Sequence, residues 1–542
     1  MGYVFHILFA LATLALVDVG WAGREERLWV LPFLALLPYA LGWQARRAFL
    51  TGHFRLGEAL ERALAAAPVL LQLTAITSLG WMTTLERWSG AHPALGNWQG
   101  LELLAALAPF LAYQVVAIDA RARTLTFAPD SVASARAFQM RMFVSALLPC
   151  AAYLGGASVL SRWPDWQVRF EEVGLLAALL TAVTAGLFVY AMPFFLRFAW
   201  DTAPLERGWA RTMLEEVQRR AGFRCRELLV WRTGQQMSNA AIVGFTERTR
   251  IVFFSDLLIA QLGPRELAAV FAHELGHARR AHALVFGAFA IGFFLCAGLA
   301  VQWSGIESST AISALVLGAG LAWYLSFGFL SRRFELEADL ESLRILGESA
   351  PLVRALQHVT GAHAHERSSW RHFSTRDRVE FLERAERDPV VGLKLRLRLA
   401  RWRRVGFALF AIVASIQLVE LARSWQHDWL VVDLRLGQFE RAAERAGQRG
   451  VEPELAALAR LAAEVPAEAR DAGALEQRAL ETLVAGDEAR AANYLELARL
   501  RGQTDLDPVI DAVEALPRPA AADVPPPWDA VLEARRRVPR GP

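Results

Sequence analysis

The sequence predicts a mostly helical, polytopic membrane protein with a small α/β unit between its spans and a helical domain towards its C-terminal end. Three observations point there. Hydrophobic residues fill 54% of the 542 positions and mean hydropathy is +0.26, too apolar for an ordinary soluble chain. About nine runs read as membrane spans, given that a hydrocarbon core of ~30 Å takes ~20 residues of helix. A polar stretch with strand-like patterning separates the sixth run from the seventh, and an Ala/Leu/Glu/Arg-rich stretch follows the ninth.

The apolar runs lie near 3–22, 28–43, 64–85, 101–118, 142–160, 173–196, 283–303, 309–330 and 404–422. The first has no basic flank and no small-residue cleavage signature, so it reads as a retained span. Residues 1–200 are thus expected to form a membrane domain of about six helices. Residues 283–330 form a transmembrane hairpin and 404–424 a further span. Arginines give the orientation. Arg46, Arg47, Arg55 and Arg62 follow the second run; Arg121, Arg123, Arg136 and Arg141 follow the fourth. Arg279 and Arg280 precede the seventh, and Arg332 and Arg333 follow the eighth. The loops 86–100 and 304–308 are poor in arginine. The positive-inside rule then places 201–282 and 331–403 in the cytoplasm, at the inner membrane, with the segment beyond about 425 on the opposite side. Trp88, Trp98, Trp163, Trp166, Trp200 and Trp425 sit near span ends, as an aromatic belt would place them.

Net charge is only +3, which gives no argument for nucleic acid as a partner. Three cysteines, Cys150, Cys225 and Cys296, form no CxxC pair. A disulfide framework or a cysteine metal site is therefore not expected. Cys150 and Cys296 lie in apolar runs, where a small buried thiol is the simple reading.

Residues 201–282 read as a soluble α/β piece. A helix is expected over 204–221 and strands over Glu227–Thr233, Ala241–Thr246 and Arg250–Phe254, with a turn at Glu247-Arg248-Thr249. A short helix follows over 256–262. Gly263-Pro264 then breaks the chain and opens a helix over 265–282. Residues 331–403 are polar and helical. Residues 425–515 form a helical domain whose stretches Leu436–Ala442 and Gly486–Ala491 hint at helix-pair repeats. Residues 516–542 are Pro/Ala/Arg-rich and read as a disordered tail.

The 265–282 helix carries the chemistry. His273-Glu274-Leu275-Gly276-His277 is an HExxH motif. Positions i and i+4 share one helix face, so two imidazoles can converge on one cation. The glutamate beside the first histidine can take a proton from water bound to that cation. Zinc fits, because it accepts nitrogen and carboxylate oxygen and acidifies its water. A catalytic zinc needs a third protein ligand. Ser331–Asp339 (SRRFELEAD) follows the eighth run as the HELGH helix leads to the seventh. Antiparallel spans with a short connection bring 277 and 335 to one membrane face. Glu335 can then ligate while Asp339, at i+4, accepts the second N–H of a ligand histidine. Glu337 points elsewhere and reads as structural. On a continuous helix His282, at i+5 from His277, leaves the metal face and reads as interfacial. Small Gly276 suits a close helix approach. His358, His363 and His365 read as exposed.

HELGH followed, after a membrane hairpin, by FELEAD resembles the membrane zinc endopeptidases that comprise the CAAX prenyl proteases and the HtpX-type heat-shock proteases. The upstream Asn239-Ala240-Ala241 matches that family's lead-in, and the likeness covers roughly 204–385. The resemblance implies a gluzincin-type zinc metallopeptidase domain with Glu335 as third ligand and Asp339 behind a ligand histidine. It implies an edge strand over Asn239–Gly244 that binds substrate backbone by β-augmentation, with Asn239, Ala240 and Ala241 as substrate-binding residues. His372–Val379 resembles the family's His-Pro-Ser/Thr segment, with Phe373 in place of proline. From it His372 and Arg378 are candidates to stabilise an oxyanion.

The expected function is a membrane-bound zinc metalloendopeptidase acting on membrane or misfolded proteins, with Glu274 activating zinc-bound water. Lipid and a protein or peptide substrate are the implied partners, and the C-terminal helical domain offers a surface for a further protein. Two alternatives stand beside it. One is a signal-transducing metallopeptidase with an extracytoplasmic C-terminal sensor. The other is a non-catalytic zinc-binding scaffold, which would have no need of Glu274. Proteolysis at bilayer depth is disfavoured by Arg265, Glu266, Arg279 and Arg280 around the motif.

Overall fold

The structure is a computed structural model; it describes residues 2–18, 23, 26–91, 99–126, 131–160, 162–306, 308–360 and 373–502. The tail 516–542, His372, His363, His365 and Trp98 lie outside the described residues. The chain divides into two compact units, one of residues 1–158 with 184–414 and one of 159–183 with 415–542.

Helix dominates, as the apolar runs predict. Six helices among the described residues are long and apolar enough to cross a membrane: Leu28–Leu50, Phe54–Ser78, Gly174–Ala199, His282–Ser304, Ala314–Leu346 and Pro389–Arg435. The first run gives a shorter apolar helix, Tyr3–Leu14. The fifth lies inside a helix over Val132–Leu160 that also carries Arg136 and Arg141. The fourth run differs from the single helix expected. It is broken at Leu107 into Gln99–Ala106 and Ala108–Leu125, with Pro109 in the first turn of the second piece. The break exposes backbone groups that a continuous helix would satisfy internally. Buried Gln72, on the neighbouring Phe54–Ser78 helix, supplies both missing partners. Its Nε2 donates to the Ala106 carbonyl and its Oε1 accepts the Phe110 N–H, each at 2.9 Å.

The α/β piece is a four-stranded mixed sheet ordered β1-β2-β4-β3, over Thr202–Pro204, Glu227–Trp231, Ala240–Val243 and Ile251–Ser255. β1 was not expected. Its three residues carry no alternation, and it forms by antiparallel pairing with β2, matching Thr202 to Trp231. The helix expected from 204 consequently starts later, at Trp209. β2 and β4 run parallel, and β3 pairs antiparallel to β4 at the other edge. Central β4 is buried at every position, the pattern of a strand covered on both faces. On one face Phe254 packs with Leu267, Phe271 and Leu275 of the HELGH helix. On the other Trp200 stacks on Trp231 at 4.0 Å and meets Phe253 edge-on. Trp200 is therefore a support of the sheet, whereas Trp88, Trp163 and Trp166 are exposed. Cys150 is half-buried and Cys296 exposed, so neither is the fully buried thiol expected.

In the second unit, Phe439–Arg445 packs on Pro453–Ala463 and Ala472–Val484 on Glu488–Leu500. Leu434, Phe439, Leu475, Leu483 and Leu497 share one buried core. The two similar stretches play the same part. Gly437 and Gly486 take positive φ, +73° and +86°, at the turn before the second or next helix, where a Cβ would be strained.

Candidate metal centre

The Pro264–Arg279 helix begins with an N-terminal cap: the Glu266 carboxylate accepts the Gly263 N–H at 2.8 Å and an ion pair with Arg354 holds it. Leu267, Phe271 and Leu275 face the sheet. That orientation turns His273 and His277 towards the Ser309–Leu346 helix, which brings Glu335. Gly276 sets the spacing. A Cβ there would lie 2.7 Å from Ala338 Cα and 3.0 Å from Glu341 Cβ, so only glycine admits this approach. We expect Gly276→Ala to force the helices apart at a cost of about 1–3 kcal/mol, lowering both the thermal midpoint and the zinc content. Unchanged values for both would show that the approach is not limiting.

His273, His277 and Glu335 each present one ligand atom, all within 4.8 Å of one another. The two Nε2 atoms lie 3.2 Å apart, and each lies 3.6 Å from a Glu335 oxygen. Each imidazole has its other nitrogen close to a polar group. His273 Nδ1 lies 2.8 Å from Asp339 Oδ1, and His277 Nδ1 lies 2.8 Å from His282 Nδ1. When both rings are neutral with the proton on Nδ1, two bare nitrogen lone pairs face the Glu335 carboxylate. That donor set fits a divalent cation. Two ligands ~2.0–2.1 Å from a tetrahedral ion would stand about 3.3–3.4 Å apart, close to the observed spacings.

Burial disfavours charge on His273, but Asp339 and Glu335 outweigh it and raise its pKa to about 10, so binding of a cation would displace a proton from its Nε2. His277 is pushed down to about 3 by burial and by the neighbouring His273. Glu274 is not part of the ligand cluster. Burial raises its pKa to about 7, the range in which a carboxylate both takes and returns a proton near neutral pH.

Arg378 lies in the first turn of the Thr375–Arg387 helix, which Ser374 caps by accepting the Asp377 N–H. Its guanidinium forms a fork on Asp339, at 2.9 and 2.6 Å, and its Nη1 lies 3.7 Å from Glu335. Burial opposes its charge, but Asp339 outweighs that and keeps it cationic. Arg378 thus stands behind Asp339. Asn239 opens β3 by exchanging bonds with Ser255, its N–H donating to Oγ and its carbonyl accepting the Ser255 N–H, each at 2.9 Å. Ala240 is buried opposite Phe254. The cavity that reaches Glu274 and His277 is lined by the following residues, from Ile242 to Phe245, rather than by 239–241.

His282 differs most from expectation. The HELGH helix does not continue to 282; it ends at Arg279, and Ala281 takes φ +52° before the next helix starts. The i+5 argument therefore does not apply. The turn swings His282 into the core, stacked on Phe334 at 4.2 Å. Its Nε2 lies 2.9 Å from Glu337, a fully buried carboxylate that receives a fork from Arg403 at 2.6 and 3.0 Å. A second buried carboxylate, Glu341, meets Arg279, Arg280, Arg344 and Arg396 within 4 Å. The sequence signal was available: four acidic residues at 335, 337, 339 and 341 surround one helix, and each needs a cation once buried. His358 is exposed, as expected.

Residues 204–428 match the family model described as Peptidase family M48. A protein named Protease HtpX homolog from Aeropyrum pernix is 28% identical over 172 residues, 29% of this chain and 53% of that one. Another of that name from Moorella thermoacetica is 26% identical over 241 residues, 41% of this chain and 77% of that one. The chain therefore spans about half the length of the first relative. A structure titled Crystal Structure of S. mikatae Ste24p is 15% identical, covering 71% of this chain and 99% of that one, with a TM-score of 0.41.

Proposed function

We propose, from the match of residues 204–428 to the model of peptidase family M48, that this chain is a multi-pass membrane zinc metalloendopeptidase that hydrolyses membrane or misfolded polypeptides. The observation that carries the reading is the convergence of His273, His277 and Glu335 on one point, with Glu274 adjoining it on the same helix. The three would hold one zinc ion, with Asp339 orienting His273 and Arg378 holding Asp339. When bound, the ion supplies Lewis acidity towards the scissile carbonyl and the attacking water. Glu274 takes a proton from that water as its oxygen bonds to the peptide carbon. The C–N bond then breaks, and the same proton passes to the leaving nitrogen. Edge strand β3 offers its free side to the substrate backbone.

The arginine distribution supports a site on the cytoplasmic side of the inner membrane. The helical 425–500 region is proposed as a surface for a protein partner. The test uses the full chain in detergent. It is expected to bind one equivalent of zinc and to cleave a denatured protein. Chelation should abolish cleavage and added zinc should restore it. A folded, zinc-loaded chain that cuts no polypeptide would end this reading.

A further inference from the structure

We infer that the groove between the His282–Ser304, Ser309–Leu346 and Pro389–Arg435 helices binds one anionic phospholipid, with an acyl chain in the groove and the phosphate among arginines at its mouth. Charge changes abruptly along two of these helices. On Pro389–Arg435, six basic residues lie between Lys394 and Arg404, and no charged residue follows until Glu420. On Ser309–Leu346, residues 309–331 carry no charge, and Arg332 and Arg333 follow. Such transitions mark a membrane boundary. The groove crosses it, since its wall runs from Arg401 to Leu409 on one helix and from Val285 to Phe289 on another. It holds about 320 Å³, and the ionisable residues of its wall are Arg401 and Arg403. Two parts of the wall are fixed from behind, Phe334 by its stack on His282 and Arg403 by its fork on Glu337. The space is therefore formed before anything occupies it. Val405 and Leu409 are 53% and 57% exposed, so it is open to an acyl chain from the surrounding bilayer.

The arginines decide which lipid. Arg396 meets Glu341 and Arg403 meets Glu337. Among the described residues no carboxylate pairs with Arg333, Arg398, Arg401 or Arg404; Arg333 and Arg404 donate only to carbonyls one turn back in their own helices. Arg333 lies 5.8 Å from the centre of the Trp402 ring, which is part of the groove wall. The charges acting on Arg333 are those of Arg332 and Arg398, both of its own sign. Arg333, Arg398 and Arg401 thus form a positive cluster around Trp402 with no counter-ion. Like charges held together repel, and a lipid phosphate at the same level of the membrane relieves that repulsion. A zwitterionic headgroup brings its own cation to the cluster and gains less. An apolar helix from a protein partner would cover the groove and leave the arginines without a counter-charge. An anionic phospholipid satisfies both the groove and its mouth.

The test is native mass spectrometry of the full chain released from detergent, after titration with phosphatidylglycerol or with phosphatidylcholine of the same acyl chains. One phosphatidylglycerol should be held at least about tenfold more tightly than phosphatidylcholine. Gly406 lines the groove, and a Cβ there would meet nothing within 4 Å. Gly406→Phe should therefore fold normally, fill the groove and weaken both lipids about tenfold. Arg398 and Arg401 are exposed, and replacing both by Gln should bring phosphatidylglycerol down to the level of phosphatidylcholine. A melting midpoint close to wild type checks the fold of each variant. Glycerol phosphate, which has the anion without the acyl chain, should not compete. Equal retention of the two lipids by wild type would overturn the part given to the headgroup, and with it the proposal. Phosphatidylglycerol binding that survives Gly406→Phe, or that glycerol phosphate displaces, would overturn it equally, since the anion would then adsorb to arginines without using the groove.

Discussion

Protein carrying Glu274→Gln should keep wild-type zinc stoichiometry and cleave roughly 10²–10⁴-fold more slowly. The two halves of this result have separate causes. The ligand atoms come from His273, His277 and Glu335, and Glu274 is not one of them. Glutamine has nearly the same shape, so the HELGH helix keeps its packing through Leu267, Phe271 and Leu275. What is lost is a site for the proton. Among the described residues no other carboxylate next to the cluster can replace it, because Asp339 is held by Arg378 and lies against His273 on the far side. Metal analysis and a cleavage assay on the same preparation read both halves. Full activity with zinc retained would remove Glu274 from the mechanism. Loss of zinc alongside activity would instead make it a structural residue. Comparative membrane proteomics of cells carrying the same substitution adds the biological readout, since uncut substrates should accumulate.

The parts of this site that sequence makes legible are those governed by local periodicity. His273 and His277 share a face because the helix is regular between them, and Glu335 and Asp339 share one for the same reason. The sheet was readable where strands alternate or run apolar, at β2, β3 and β4, and unreadable at β1, whose three residues pair only because β2 is already placed. His282 was misplaced because one residue, Ala281, leaves the helical region. A non-glycine residue at positive φ costs of order 1 kcal/mol and has no sequence signature. In the sequence Arg279 and Arg280 read only as markers of where the membrane lies. They also pair with Glu341, so their position satisfies two demands and a charge count sees one. The broken fourth run belongs to the same class: hydropathy does not register a kink whose backbone groups are satisfied by a side chain from elsewhere, in this case Gln72.

Replacing His282 should change zinc affinity according to whether a hydrogen-bond acceptor remains next to His277. The tautomers follow from the network of contacts. If His277 offers Nε2 to the metal, its Nδ1 carries the proton and donates to His282 Nδ1 at 2.8 Å. His282 Nδ1 must then be bare, so its proton sits on Nε2 and points to Glu337 at 2.9 Å. Arg403 fixes Glu337 as the ionised acceptor. His282→Phe keeps the stack on Phe334 and removes the acceptor, so zinc should bind about 10–100-fold more weakly. His282→Asn places an amide oxygen near the lost Nδ1 and should remain close to wild type. Glu337→Gln leaves the acceptor atom in place but turns an N–H₂ towards His282. That forces the proton onto His282 Nδ1, where two donors face each other, and affinity should fall as with phenylalanine. It also leaves the Arg403 charge buried without its partner, at about 3–5 kcal/mol, so thermal stability should drop only in this variant. Chelator competition reads affinity and a melting curve reads stability. Equal zinc affinity in the phenylalanine and asparagine variants would mean that His282 fills space and does not set the ligand's proton.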